Sequence, residues 1–99
     1  MDVAGTFRIP ASHPSLPGHF PGRPVVPGVV LLDEVSAILA VLHPGRWVAG
    51  WPRVKFTYPV RPDQDVTVHA GLGDGGRVAF LCRVDERDVL GGTVLLSPA

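Results

Sequence analysis

The sequence predicts an α+β fold, with an antiparallel sheet wrapped around one long helix, and three observations carry that reading. A single segment, Gly28 to Leu42, has a sustained helical run of apolar residues. From Gly45 onward the pattern switches to period two, as strands require. The alternating runs are separated by short turns rich in glycine, aspartate and proline, which favour antiparallel neighbours.

Taken in order, Thr6-Phe7-Arg8-Ile9 reads as a short first strand. Between residues 10 and 27 prolines recur every few positions, forbidding regular structure and stiffening a loop. Pro27 then stands at the helix entrance, where a missing amide costs nothing, and His43-Pro44-Gly45 stops the helix. Apolar residues run almost all the way round it, so burial on most sides is expected. Strands are expected over 53–58, 65–70, 78–84 and 89–96, joined as a meander. Residues 1–99 should form a single domain, with no repeats, linkers or low-complexity tails.

Hydrophobic residues make up 45% of the chain and charged residues 18%. That is rich for a free-standing monomer of this size and suggests apolar surface buried against another copy. The formal net charge is zero, so no global field draws nucleic acid or a membrane, and neither is an expected partner. Lys55 is the only lysine among the cations, and the arginines leave local anion contacts open. Cys82, the only cysteine, excludes an internal disulfide and a cysteine-rich metal site; in its apolar run it reads as a buried, inert thiol. No secretory leader pattern opens the sequence, and the helical run is too short to span a bilayer and holds two carboxylates. A cytoplasmic protein is expected.

Two motifs mislead. Gly71-Leu72-Gly73-Asp74-Gly75-Gly76 satisfies G-x-G-x-x-G, but the dinucleotide fingerprint needs a helix behind it, and Arg77-Val78-Ala79-Phe80 is strand-like. A hairpin turn is the expected identity. His13, His19, His43 and His69 are scattered, with no pair at i, i+4 spacing, so no metal or cofactor site is expected. His43 suits a helix C-terminus, and His69 should be a surface or edge residue. Ser12 and Ser15 lack the strand–turn–helix that activates a serine nucleophile.

What remains is His19, bracketed by Gly18 and by Pro21-Gly22, which set its backbone and allow close approach. The loop runs into a helix start whose free amides, led by Gly28, could bind a carbonyl oxygen or a developing oxyanion. Asp33 lies five residues further on, roughly 7–8 Å along the axis. Flanked by Val29, Val30, Leu32 and Ala37, it should be desolvated and so suited to hold a proton. Glu34 points about 100° away round the helix, toward solvent or an interface, and is set aside as the functional acid.

Residues 19–33, HFPGRPVVPGVVLLD, resemble the signature of the 3-hydroxyacyl-[acyl-carrier-protein] dehydratases, hot-dog-fold enzymes of fatty-acid synthesis. In that family the catalytic carboxylate stands fourteen positions after the histidine, which lands on Asp33 rather than Glu34. Most plain dehydratases carry glutamate there, and the branch that also isomerises the double bond carries aspartate. Lys55-Phe56, Pro59-Val60 and Pro62-Asp63-Gln64-Asp65 are similar to the family's KF…PV.PGD stretch, with aspartate in place of its glycine. The resemblance is strong from Pro14 to Val68 and looser elsewhere. The compact dehydratase-like proteins of aryl-polyene and related specialised-lipid pathways look most similar, because fuller-length relatives carry an extra N-terminal segment over the acyl tunnel.

The resemblance implies loss of water from a 3-hydroxyacyl thioester to give a trans-2-enoyl thioester, without a cofactor. His19 would take the C2 proton, the amides of Gly28 and Val29 would stabilise the enolate-like oxygen, and protonated Asp33 would release the hydroxyl as water. Pro21, Gly22 and Pro27 would shape the loop. It also implies a homodimer whose sites each draw the histidine and the carboxylate from different subunits, with further assembly left open. The substrate would arrive on acyl carrier protein, an acidic partner, with Arg23, Arg46, Arg53 and Arg61 as candidates for its surface. Two alternatives stand beside this: a hot-dog acyl thioesterase, which leaves the histidine unexplained, and a non-catalytic partner subunit, which would be expected to lose His19 or Asp33. Acyl chain length and type are left open.

Overall fold

The computed structural model describes residues 1–14, 16 and 24–98. Strand β1 (Asp2–Arg8) precedes helix α1 (Gly28–Leu42), and β2 (Val48–Phe56), β3 (Asp65–Leu72), β4 (Arg77–Val84) and β5 (Arg87–Leu96) follow it. All five strands form one antiparallel sheet in the order β1-β3-β4-β5-β2. The expected α+β class and single long helix are therefore present.

The helix obeys its punctuation. Pro27 sits at the N-cap with φ −58° and ψ 143°, and at the other end the His43 amide donates to the Leu39 carbonyl at 2.9 Å. Leu31, Val35 and Leu39 recur at four-residue spacing and form its buried stripe. They meet Val66 and Val68 of β3, Val78 and Phe80 of β4, and Leu90 and Val94 of β5 in one core. Trp51 adds an edge-to-face contact on Phe80, with ring centroids 5.6 Å apart. Fully burying a side chain such as Leu39 is worth about 2–3 kcal/mol.

Burial on most sides of the helix is not observed. One stripe is covered by the sheet, while Val29, Val41 and Leu42 are exposed, at 66%, 79% and 48%. A single chain has one sheet, and one sheet covers one helix face.

The meander is also corrected. β3, β4 and β5 are consecutive neighbours, but β2 pairs with β5 at the far edge and never touches β3. The link over 57–64 carries the chain across, which no tight turn does. It is pinned on the way: the Val26 amide donates to the Val60 carbonyl at 2.8 Å, and the Asp63 amide to the Ile9 carbonyl at 2.8 Å. Asp63, where the resembling motif has glycine, adopts φ 65°, a left-handed conformation that aspartate tolerates.

β2 starts five residues earlier than alternation suggests, and it ends at Phe56 rather than Tyr58. Register shifts between Val48 and Gly50 and between Gly50 and Arg53 absorb Gly50 and Pro52. An edge strand tolerates proline because its outward amide has no ladder partner to lose. Opposite the second irregularity, Gly92 lies so close to the Arg53 carbonyl that a side chain there would collide with it.

The G-x-G-x-x-G segment ends β3 and turns into β4, closed by the Gly73 amide donating to the Arg77 carbonyl at 2.7 Å. It is a hairpin turn, as its strand-like sequel requires. His69, expected at the surface or an edge, is half-buried on β3, an interior strand, so it is not an edge residue. Cys82 is fully buried, and burial pushes its thiol up to about 12.

Candidate functional site at the start of the helix

Among the described residues, the first turn of α1 leaves two amides without an acceptor. The amides of Val30 and Leu31 already reach the Pro27 carbonyl, at 3.0 and 3.4 Å, and no side chain caps the helix. Gly28 and Val29 are the residues whose N–H groups remain, at the positive end of the helix dipole. They are suited to an oxygen that gains negative charge.

The surroundings are apolar. Phe56, at the end of β2, lays its ring on Gly28, and a Cβ built there would stand 2.6 Å from the ring Cζ. Glycine at this position therefore allows the aromatic ring to seat against the backbone. A cavity of about 400 Å³ opens beside it, lined by Val25, Val26, Gly28, Leu31, Phe56 and Tyr58 among others. Tyr58 is held in turn by the Arg87 guanidinium, 4.1 Å from the ring centroid. Sequence reasoning used Phe56 only as part of a motif. Its alternation with Val54, which packs on the core, was the available signal that it faces the helix.

Asp33 lies four residues after Val29, one turn along the same helix face. That face is open, and Asp33 is exposed rather than desolvated as expected. Leu31, Val35 and Leu39 claim the sheet-facing stripe, and Asp33, two residues from Leu31, points about 200° round from it. Its apolar sequence neighbours are real, but they do not enclose it within one chain. Glu34 is half-buried.

His19, Pro21 and Gly22 lie outside the described residues, as does Arg23. The described residues on either side of that segment are anchored. Leu16 is buried, with its amide donating to the His13 carbonyl at 3.0 Å, and Val26 is buried and bonded to Val60. Of the other arginines considered, Arg46 donates from Nε to the Ser97 carbonyl at 2.7 Å, while Arg53 and Arg61 are exposed. Among the described residues no group of three histidine, cysteine or acidic side chains is arranged to hold a metal ion. No helix there is long and apolar enough to cross a membrane.

Further along the open face, Ala37 and Ala40 line an apolar recess of about 290 Å³ together with Trp47, Val48 and Leu96. Trp47 is 65% exposed although its amide is fixed to the Ser97 hydroxyl at 3.0 Å. The open face thus continues beyond the helix as an uncovered apolar surface.

The family model of the ApeI-like dehydratases, described as ApeI dehydratase, matches residues 1–93. A 3-hydroxyacyl-[acyl-carrier-protein] dehydratase FabZ from Thermomicrobium roseum is 32% identical over 79 residues, covering 72% of this chain and 53% of that protein. The FabZ of Syntrophomonas wolfei is 28% identical over 107 aligned positions, covering 96% and 74%. The chain thus spans about half the length of the first of these relatives.

Among solved structures, the dehydratase heterocomplex ApeI:P from Xenorhabdus doucetiae superposes with a TM-score of 0.81 at 23% identity, covering 94% of this chain and 84% of that one. An uncharacterized protein from Erwinia carotovora gives 0.82 at 22% identity, covering 99% and 91%. The fluoroacetyl-CoA-specific thioesterase FlK gives 0.62 at 20%, covering 94% and 86%. At these identities the likeness speaks for the fold, which is the hot-dog fold the sequence resemblance implied.

Proposed function

Because this chain belongs to the ApeI-like dehydratase family, we propose that it removes water from a 3-hydroxyacyl thioester carried on acyl carrier protein, leaving a trans-2-enoyl thioester. The observation that carries this reading is the helix start. Among the described residues two amides without acceptors, at Gly28 and Val29, open the helix beside an apolar cavity, and Val29 shares its open face with Asp33.

In the proposed reaction the thioester carbonyl lies against the Gly28 and Val29 amides. Abstraction of a proton from C2 pushes charge onto that oxygen, where the fixed N–H groups stabilise it without reorganising. His19 is the proposed base, since a neutral imidazole takes a proton near pH 7. The electron pair left at C2 forms the new double bond as the C3–O bond breaks, and Asp33 donates the proton that lets the hydroxyl leave as water. His19 ends protonated and Asp33 ionised, so a proton must pass back between them through solvent before the next turnover.

Asp33 is exposed within one chain, and a reaction site closed to bulk water needs a cover over the open face. A second copy of this chain is the proposed one. It would bury Val29, Asp33, Ala37 and Val41 and bring the His19 of one subunit to the Asp33 of the other. The solved neighbour from Xenorhabdus doucetiae is a heterocomplex, which favours a second arrangement in which a different dehydratase-like chain covers the same face.

Incubation of the purified protein with a 3-hydroxyacyl carrier protein tests the reaction by mass. Loss of one water supports the dehydratase. Release of the free acid makes it a thioesterase, and an unchanged substrate makes it a non-catalytic partner.

A further inference from the structure

A serine inside a helix commonly returns its hydroxyl to the carbonyl four residues back or turns it out to water. Ser36 of α1 makes no hydrogen bond among the described residues, although it is half-buried. It lines the apolar recess of about 290 Å³ formed with Ala37 and Ala40.

The recess is short of acceptors. Arg46 contributes a guanidinium, which only donates, and its Nε is already given to the Ser97 carbonyl at 2.7 Å. Trp47 offers an indole N–H, again a donor. Ala37, Ala40, Val48 and Leu96 bring hydrocarbon alone. Among the described residues the Ser36 Oγ is thus the one side-chain acceptor in the lining.

Its place on the helix ties it to the candidate site. Ser36 follows Asp33 by three residues, about 60° round the axis at 3.6 residues per turn. Side chains at that spacing are neighbours, with Cβ atoms about 5–6 Å apart. Helical side chains lean toward the N-terminus, so Ser36 tilts back toward Asp33 and the start of the helix. Val29 precedes Ser36 by seven residues and lies only about 20° from it round the axis. Val29, Asp33 and Ser36 therefore border one lane, which runs from the helix start to the recess.

We propose that Ser36 is a hydroxyl-binding residue of this site, holding the C3 hydroxyl of the substrate jointly with Asp33. The inference rests on the dehydratase reading for its substrate. A bound hydroxyl has one hydrogen to give and lone pairs to receive. Asp33, carrying the proton it transfers, donates to the C3 oxygen, and the substrate O–H donates to Ser36 Oγ. That second bond stops the hydroxyl from rotating and keeps a lone pair turned to Asp33. When the C3–O bond breaks, the departing water has two hydrogens and two acceptors, the ionised Asp33 and Ser36. In an apolar recess without Ser36, the O–H of the substrate would be left unpaired. A lane built in this way reads the hydroxyl as well as the acyl chain, and disfavours a saturated acyl group that lacks it.

The test is calorimetric binding of two unreactive ligands, the pantetheine amides of 3-hydroxyoctanoic and octanoic acid. Nitrogen in place of the thioester sulfur leaves C2 too weakly acidic to lose its proton, so neither ligand turns over. The wild type should prefer the hydroxylated ligand. Ser36→Ala should weaken that ligand about three- to tenfold, the worth of one hydrogen bond, and change the saturated one less than twofold. Ser36→Thr, which keeps the acceptor, should stay within twofold of the wild type on both. Alanine is the better helix former, so loss of the fold is not expected.

The proposal is overturned if Ser36→Ala weakens both ligands alike, the mark of a residue that only shapes the recess, or weakens neither. It is overturned as well if the wild type binds neither ligand or shows no preference for the hydroxyl. An Ser36→Ala protein that keeps the preference but dimerises more weakly also overturns it, since the hydroxyl then serves the partner copy. A wild type with a Ser36-dependent preference that removes no water from the matching thioester contradicts the dehydratase reading and leaves the hydroxyl site standing.

Discussion

The two faces of α1 are built for opposite ends. Toward the sheet, Leu31, Val35 and Leu39 are 0–3% exposed and lock the helix into the core. Away from it, Val29 and Val41 are 66% and 79% exposed, and Asp33 stands between them in solvent. The closed face obeys the rule that apolar side chains leave water. The open face breaks it at Val29 and Val41, and the same face carries the Val29 amide, which has no acceptor among the described residues, and the Asp33 carboxylate. In one helix, the stripe that makes the fold and the stripe that carries the proposed site are thereby kept apart.

Substitutions on the two faces should therefore separate activity from stability. Asp33→Asn is expected to lower dehydration by about 10²–10⁴-fold and to move the denaturation midpoint little, since it nearly preserves the shape of a side chain that has no ion pair among the described residues. Leu39→Ala should cost about 2–5 kcal/mol of stability, read by urea unfolding. If Asp33→Asn unfolded the chain, or Leu39→Ala left the midpoint unchanged, the division of labour between the faces would be wrong.

A smaller effect concerns Cys82, buried on the strand layer that the closed face packs against. Its thiol is raised from 9.0 to about 12 by burial, so the folded state holds the proton where the unfolded chain releases it. Stability from this group is fully present below pH 9.0 and falls as pH rises toward about 12. Replacing Cys82 with alanine should remove that alkaline decline, apart from ionisations elsewhere. In the native protein at neutral pH the thiol should resist a disulfide reagent and react once urea unfolds the chain.

The least effect is expected away from both faces, in the link that crosses the sheet. Asp63→Gly restores the residue type suited to φ 65° and should stabilise the chain by no more than about 1 kcal/mol, seen as a modest rise in Tm. A fall in Tm would mean that the aspartate side chain has a role of its own.

Much of this arrangement was legible in the sequence. Pro27 and His43-Pro44-Gly45 bounded the helix, because proline and glycine act locally and their effect can be read locally. Alternation located β3 and β4 to within two residues. The start of β2 was hidden because Gly50 and Pro52 interrupt alternation, and the structure accommodates them with irregular pairing. Strand order was hidden for a different reason: pairing β2 with β5 is a long-range choice that leaves no mark on the turn after β2. At the candidate site, the spacing of the resembling motif pointed to Asp33, and the helix start pointed to its free amides, led by Gly28. Neither showed that Phe56 seats on Gly28, nor that Asp33 stays exposed within one chain. Periodicity tells which residues share a face, and only the tertiary arrangement tells which face is covered.

The central claim is that the open face becomes a working site when a second copy covers it. A mixture of His19→Ala and Asp33→Asn proteins tests it most directly, because each variant alone lacks one half of every site. Unfolding and refolding the two together in equal amounts should give mixed dimers with one intact site each, restoring roughly a quarter of the wild-type dehydration rate. A mixture no more active than its two components, with mixed dimers demonstrated by mass, would contradict the shared site.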